Sequence, residues 1–207
     1  QATKMLFVNN HNIDKIYVYE KNGTHKSFFD FLKLCKEIKK DKYDIILHFQ
    51  RSNLRLWLLT FLLASKKFVV YKKNNAKHAV INYLETLFKI GISPDFNDIN
   101  LDFFLEAESE LFAENFFKNN QLKTERVVAL NPGASHRVNR WHLGYFSELI
   151  DLLYAKGIKS LLIGGVEDIP LSVEILKNCQ CNSVANATGI LNLLQLGALL
   201  KNVKLLV

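Results

Sequence analysis

Residues 127–165 read VVALNPGASHRVNRWHLGYFSELIDLLYAKGIKSLLIGG, and this stretch decides the fold. Val127 to Leu130 is a short apolar run rich in β-branched residues, the pattern of a strand buried on both faces. Asn131-Pro132-Gly133-Ala134-Ser135 breaks it with turn formers and small side chains. Tyr145 to Lys156 then carries Phe146, Leu149, Ile150, Leu152 and Leu153 on a helical stripe, and Gly157 stands at the C-cap. Lys159 to Ile163 is a second apolar strand, ending in Gly164-Gly165. Strand, loop, helix and strand make a βαβ unit. Parallel α/β sheets bind ligands beyond the carboxyl ends of their strands. The small-residue loops 132–135 and 164–165 fall at that edge, where backbone N–H groups can approach a phosphate.

The same alternation extends both ways. Upstream, the spacing predicts a helix ending at Val8, a strand at 15–20, a helix at 27–40 and a strand at 43–49. A helix over about 53–64, capped by Ser52, and a strand at 67–71 follow. Next come a helix at 76–90 stopped by Gly91, an extended piece at 101–105 and a helix at 106–118. Residues 119–125 are polar and read as an inter-domain linker. Downstream, helices at 168–178 and 191–200 alternate with strands at 183–185 and 203–207. The expectation is an α/β protein with mostly parallel sheets and two domains, 1–122 and 123–207.

The composition sets bounds on function. The chain has 207 residues, enough for one large domain or two small ones, and 49% are hydrophobic, enough for a sizeable core. No apolar run reaches the roughly 20 residues of a membrane-spanning helix. The longest, Leu54 to Ala64, carries Arg55 and reads as a buried helix. No basic-then-apolar leader opens the sequence. The three cysteines include a Cys179-x-Cys181 pair, a weak metal signal, and read as reduced thiols of a cytosolic protein. The net charge of +7 is spread over both halves. It suits an anionic ligand or a membrane surface, or simply solvated lysine faces. Most of the 15 Phe sit at core spacing rather than among basic residues, so no nucleic-acid partner is expected.

The chain resembles glycosyltransferase family 9, the ADP-heptose:lipopolysaccharide heptosyltransferases. The resemblance rests on Asn131-Pro132-Gly133-Ala134-Ser135, Arg140-Trp141, the helix 143–156, Gly164-Gly165, and Gly189 followed by Leu191 to Leu200. Ile13-Asp14-Lys15-Ile16, and Tyr43-Asp44-Ile45-Ile46 running into Gln50-Arg51, extend it over the first half. It implies a GT-B fold of two Rossmann-like domains, both incomplete here, with a partial acceptor-binding domain first and a partial nucleotide-sugar domain second. It implies an inverting, metal-independent transfer of heptose from ADP-heptose to the lipopolysaccharide inner core. No cofactor is implied. The setting implied is cytoplasmic, with peripheral contact at the inner membrane surface.

Under this resemblance the leaving diphosphate needs donors for growing negative charge. Gly133, Ala134 and Ser135 offer backbone N–H groups and a hydroxyl, and Arg140, or Arg137, a cation of bidentate geometry. Glu167 or Asp168 would accept from ribose hydroxyls, and Ile190 would lie near the adenine. Gln50, Arg51 and Arg55 would face a phosphorylated acceptor. Each has a plainer reading. Ser135 caps the turn, Arg137 and Arg55 are solvated, Trp141 is core packing, and Glu167 and Asp168 favour a helix N-terminus.

The sequence departs from the family pattern at Asn139, where Lys is usual, and at His142, where Pro follows the Trp. The family's N-terminal Gly-Asp segment, which carries the candidate base, has no counterpart, nor does its Asp-Thr-Gly-x-x-His segment after Val207. The catalytic residue is therefore left unassigned. The expectation is an internal piece of a longer enzyme, inactive in sugar transfer by itself. The other readings are a GT-B transferase using another nucleotide sugar, and a non-catalytic nucleotide-binding α/β module.

Overall fold

The computed structural model describes residues 2–20, 23–49 and 54–207. In chain order it holds α1 (Ala2–Val8), α2 (Phe28–Lys39), β1 (Ile45–His48), α3 (Leu54–Leu63), β2 (Lys67–Val70), α4 (Ala79–Glu85) and α5 (Ala107–Asn119). Then follow β3 (Val127–Leu130), α6 (Leu143–Ala155), β4 (Lys159–Leu162), α7 (Ile169–Asn178), β5 (Val184–Asn186), α8 (Leu193–Lys201) and β6 (Leu205–Leu206). Among the described residues every strand pairing is parallel. The chain forms two compact units, Gln1–Ile16 with Phe103–Val207, and Tyr17–Asp102.

The larger unit is built on the sheet β5-β4-β3-β6. All four β3 residues are buried, as the apolar run predicts, and they divide by parity. Val127 and Ala129 face Ala113, Phe117, Ala198 and Leu199, so α5 and α8 cover that side. Val128 and Leu130 face Phe146, Ile150 and Ile175, so α6 and α7 cover the other. A strand between two helical layers has no solvent face, which is why it reads as continuous apolar sequence.

This packing moves the unit boundary away from 119–126. The apolar stripe of α5 is completed by Ala113 and Phe117 against Val127, and the polar stretch is only the turn into β3, with a 3-10 helix at Thr124–Arg126. The division falls instead near residue 102. Two smaller expectations also change, the strand at 15–20 and the helix at 76–90. Residues 15–20 are irregular rather than a strand. The helix expected over 76–90 is α4 followed by a 3-10 turn, Thr86–Ile90, because the buried Thr86 hydroxyl donates to Asn82 O at 3.1 Å.

In the smaller unit β1 pairs with β2, Ile45 opposite Lys67 and His48 opposite Val70. Phe31, Leu34, Cys35 and Val69 are buried. His48 is buried beside Thr60, 3.2 Å from Nε2 to Oγ1, and burial lowers its pKa; it reads as a neutral structural side chain. His78 caps α4 by accepting from Val80 N.

The cysteine pair lies at the turn between α7 and β5. Cys179 and Cys181 are free, and burial pushes the Cys179 thiol up to about 11. The turn is held from α6, where Asp151 accepts from Gln180 N at 3.1 and 3.0 Å and from Cys181 N at 2.9 Å. The Gln180 and then the Cys181 N–H keep this carboxyl below the usual carboxylate range. A depressed folded-state pKa contributes stability that is present above about pH 4 and is lost as pH falls through the folded value. Asp151→Ala is expected to cost about 1 kcal/mol at pH 7 after solvent screening, roughly 2–4 °C in Tm. Thermal melts of both proteins should converge near pH 2. A gap that persists unchanged in acid would rule out the charged form of Asp151 as its source.

Candidate functional site

The loops after β3, β4 and β5 leave the sheet at the same carboxyl edge. β4 and β5 extend to one side of β3 and β6 lies on the other, so the loop after β3 starts at the point where strand order reverses. That is where open parallel sheets take ligands.

The first loop is fixed at both ends. Asn131 N donates to Val207 O at 2.8 Å, Asn131 Oδ1 accepts from Gly133 N at 3.2 Å, and Pro132 is fully buried. Among the described residues no group accepts from the N–H of Ala134 or Ser135, while the Gly133 N–H is already taken. Arg140 is half-buried and donates through Nε and Nη2 to Ala134 O at 3.3 and 3.2 Å. Its backbone is anchored next door, where the Trp141 ring meets Phe146 edge-on at 5.1 Å and Tyr145 at 5.4 Å. His142 then caps α6 by accepting from Gly144 N at 3.2 Å. The helix therefore starts at Leu143, before the apolar stripe that marked it in sequence.

The second loop faces the first. Gly165 N donates to Asp168 Oδ2 at 3.0 Å, and Asp168 is 8% exposed. Glu167 is exposed and lies over Gly165. Gly189, at φ +78°, donates to Gly164 O at 3.0 Å and so ties in the third loop. Asn192 and Gln195 close the start of α8 reciprocally, at 2.9 and 3.0 Å.

A cavity of about 390 Å³ lies between these loops. Gly133, Ala134, Ser135, Arg140, Glu167 and Asp168 all line it. Its apolar wall is Ile163, Leu191, Leu193 and Leu196; Ile190, placed near the adenine by the sequence reading, is 61% exposed and outside the lining. Arg137 is exposed and outside it too. Arg140 is thus the one cation lining the cavity among the described residues, against two carboxylates. Arg140 and the backbone N–H groups of Ala134 and Ser135 are the donors this lining offers.

The family model described as Glycosyltransferase family 9 (heptosyltransferase) matches residues 62–207, more than half of the chain and the whole of this cavity. The chain belongs to glycosyltransferase family 9. Its fold is that of solved family 9 structures, mixed α/β with parallel sheets of the GT-B-like class. The glycosyl transferase family 9 from Veillonella parvula DSM 2008 superposes with a TM-score of 0.88 at 21% identity, over 99% of this chain and 63% of that one. E. coli ADP-heptose lps heptosyltransferase II gives 0.64 at 18% identity, over 85% and 60%. E. coli heptosyltransferase WaaC with ADP gives 0.64 at 16%, over 89% and 59%. The chain therefore spans about 60% of the length of these structures. No curated protein sequence matches it significantly.

The acceptor residues expected of this family 9 chain fare differently. Gln50 and Arg51 lie outside the described residues. Arg55 is half-buried, donates through Nη1 to Tyr19 Oη, and sits 5.9 Å from the Phe31 ring centroid, so its guanidinium is engaged in packing. Sequence reading missed a second cavity, of about 580 Å³, at the carboxyl end of β2, lined by Lys72, Lys73, Lys89 and Asn82. The buried Asn82 shapes it, donating to Asn74 O, Lys77 O and His78 O at 3.0–3.2 Å and accepting from Asn74 N at 3.1 Å. The available signal was Lys72-Lys73 directly after a strand. Among the described residues no helix is long and apolar enough to cross a membrane, and no cluster of His, Cys, Asp or Glu is placed to hold a metal ion.

Proposed function

We propose that the protein takes part in heptosyl transfer from ADP-heptose to the lipopolysaccharide inner core, with inversion and without a metal. The observation that carries this reading is the cavity at the strand-order reversal, lined on one loop by Arg140 together with Ala134 and Ser135, whose amides have no acceptor among the described residues. In the proposed step an acceptor hydroxyl oxygen forms a bond to the anomeric carbon. The bond from that carbon to the diphosphate oxygen breaks, the hydroxyl proton passes to a base, and ADP leaves with the electron pair. Arg140 and the loop amides stabilise the charge gained by the diphosphate. Glu167, exposed at the cavity rim, accepts from the ribose, and Leu191, Leu193 and Leu196 pack the base.

The acceptor would bind the smaller unit. Lys72, Lys73 and Lys89 suit the anionic groups of a phosphorylated core saccharide. The reaction would run in the cytoplasm at the inner membrane face.

The test compares donors. The protein in its full natural length, given ADP-heptose, UDP-glucose and an inner-core acceptor, is expected to consume ADP-heptose at least a hundredfold faster. Preference for the UDP sugar would assign another nucleotide sugar. Tight nucleotide binding without turnover would assign a binding module instead.

A further inference from the structure

Two glycines and a backbone amide, in two separate loops, crowd around a single carboxylate. A Cβ on Gly133 would overlap Asp168 Oδ2 and stand 2.5 Å from both Cγ and Oδ1, distances that Cβ atoms do not tolerate. Gly133 is not among the positive-φ glycines, so its backbone would accept any side chain. It must be glycine because of Asp168. On the other side, a Cβ on Gly164 would stand 3.0 Å from both Cβ and Oδ2 of Asp168, and Gly165 N donates to that Oδ2 at 3.0 Å. The carboxylate is therefore wedged between the 131–135 loop and the 164–165 loop, 8% exposed, with one oxygen committed to Gly165.

We propose that Asp168 is a positioning residue that sets the spacing of the two donor loops and makes no contact with the nucleotide sugar. Glu167 alone of the adjacent acidic pair then reaches the donor. This rests on the donor-site reading above for its functional part, while the bracing itself stands on the geometry. The carboxylate holds the Gly165 amide in place and fills the volume under Gly133. Removing it lets both loops relax, which separates the Ala134 and Ser135 amides from the opposite wall. A brace and a ribose ligand differ in what they respond to. A ligand responds to the ribose hydroxyls; a brace responds to the neighbouring glycine.

The experiment uses Gly133→Ala, Asp168→Ala, the double variant and Asp168→Asn. Thermal melts form a double-mutant cycle, and calorimetry measures binding of ADP, 2′-deoxy-ADP and 3′-deoxy-ADP. Gly133→Ala alone should lower Tm by about 5 °C through overpacking. On the Asp168→Ala background the same change should cost no more than about 1 °C, since the clashing atoms are gone. Asp168→Ala should weaken ADP about tenfold and both deoxy analogues by the same factor. Asp168→Asn, which still accepts from Gly165 N, should restore affinity to within about threefold. An additive cycle overturns the brace. A penalty that disappears with either deoxy analogue overturns it in favour of a ribose ligand. If the wild-type protein binds none of the three nucleotides, the donor-site reading fails, and the melting cycle still decides whether Asp168 braces the loops.

Discussion

Arg140→Ala is expected to lower both nucleotide affinity and transfer rate by ten- to a hundredfold. Arg140 is the one cation lining the proposed donor cavity among the described residues, and two carboxylates line it as well. A hydrogen bond to a charged group contributes about 1.5–3 kcal/mol, which converts to that range. The diphosphate gains charge as the glycosidic bond breaks, so the interaction strengthens along the reaction and acts on kcat as well as on KM. Arg140 also donates twice to Ala134 O, so its loss frees the loop that carries the amides. Arg140→Lys should recover only part of the loss, because a lysine cannot hold Ala134 O with a two-pronged fork and meet the donor as well. If kcat and donor KM of Arg140→Ala stay within about twofold, Arg140 is a loop brace only and the donor assignment is wrong.

Leu161→Ala is expected to have the largest effect on stability. Leu161 is fully buried in β4, a strand paired on both sides, opposite Ala129 of β3 and Ala185 of β5. A Leu-to-Ala change at such a site costs about 2–5 kcal/mol, or roughly 5–15 °C in Tm for a chain of this size. Denaturant unfolding should show a lower midpoint with an unchanged slope. β4 delivers Gly164 and Gly165 to the cavity, so nucleotide affinity should fall with stability when measured close to the transition. A loss below about 1 kcal/mol would mean that the site collapses around the smaller side chain.

The central strands of the larger unit's sheet, β3 and β4, were legible because they are largely buried and so read as apolar runs, as Val127 to Leu130 does. The loops at its carboxyl edge were legible through Gly133, Ser135, Gly164 and Gly165, and all four line the cavity. What local pattern could not reveal were contacts across the sequence. Gly133 is required by a carboxylate on a different loop, and Asp168 reads locally as a helix-start acid while lying buried under both loops. Likewise α5 carries the same kind of apolar stripe whichever unit it joins; only its partners, Val127 and Leu199, assign it to the larger unit. His142, at a position where the family's Pro was missed, turns out to serve as an N-cap through its ring nitrogen. The strand expected at 15–20 had the right alternation, yet the boundary between the two units falls within it, after Ile16, and the segment stays irregular.

The central claim is that a nucleoside diphosphate sits between the 131–135 and 164–168 loops. An amide-resolved NMR titration of the chain with ADP tests it most directly. The account predicts saturable shifts at Ala134, Ser135 and Gly165, with the Arg140 side-chain Nε–H moving at the same half-saturation, and weaker binding in Arg140→Ala. Saturable shifts confined to residues 17–102, or none at millimolar ADP, would contradict it.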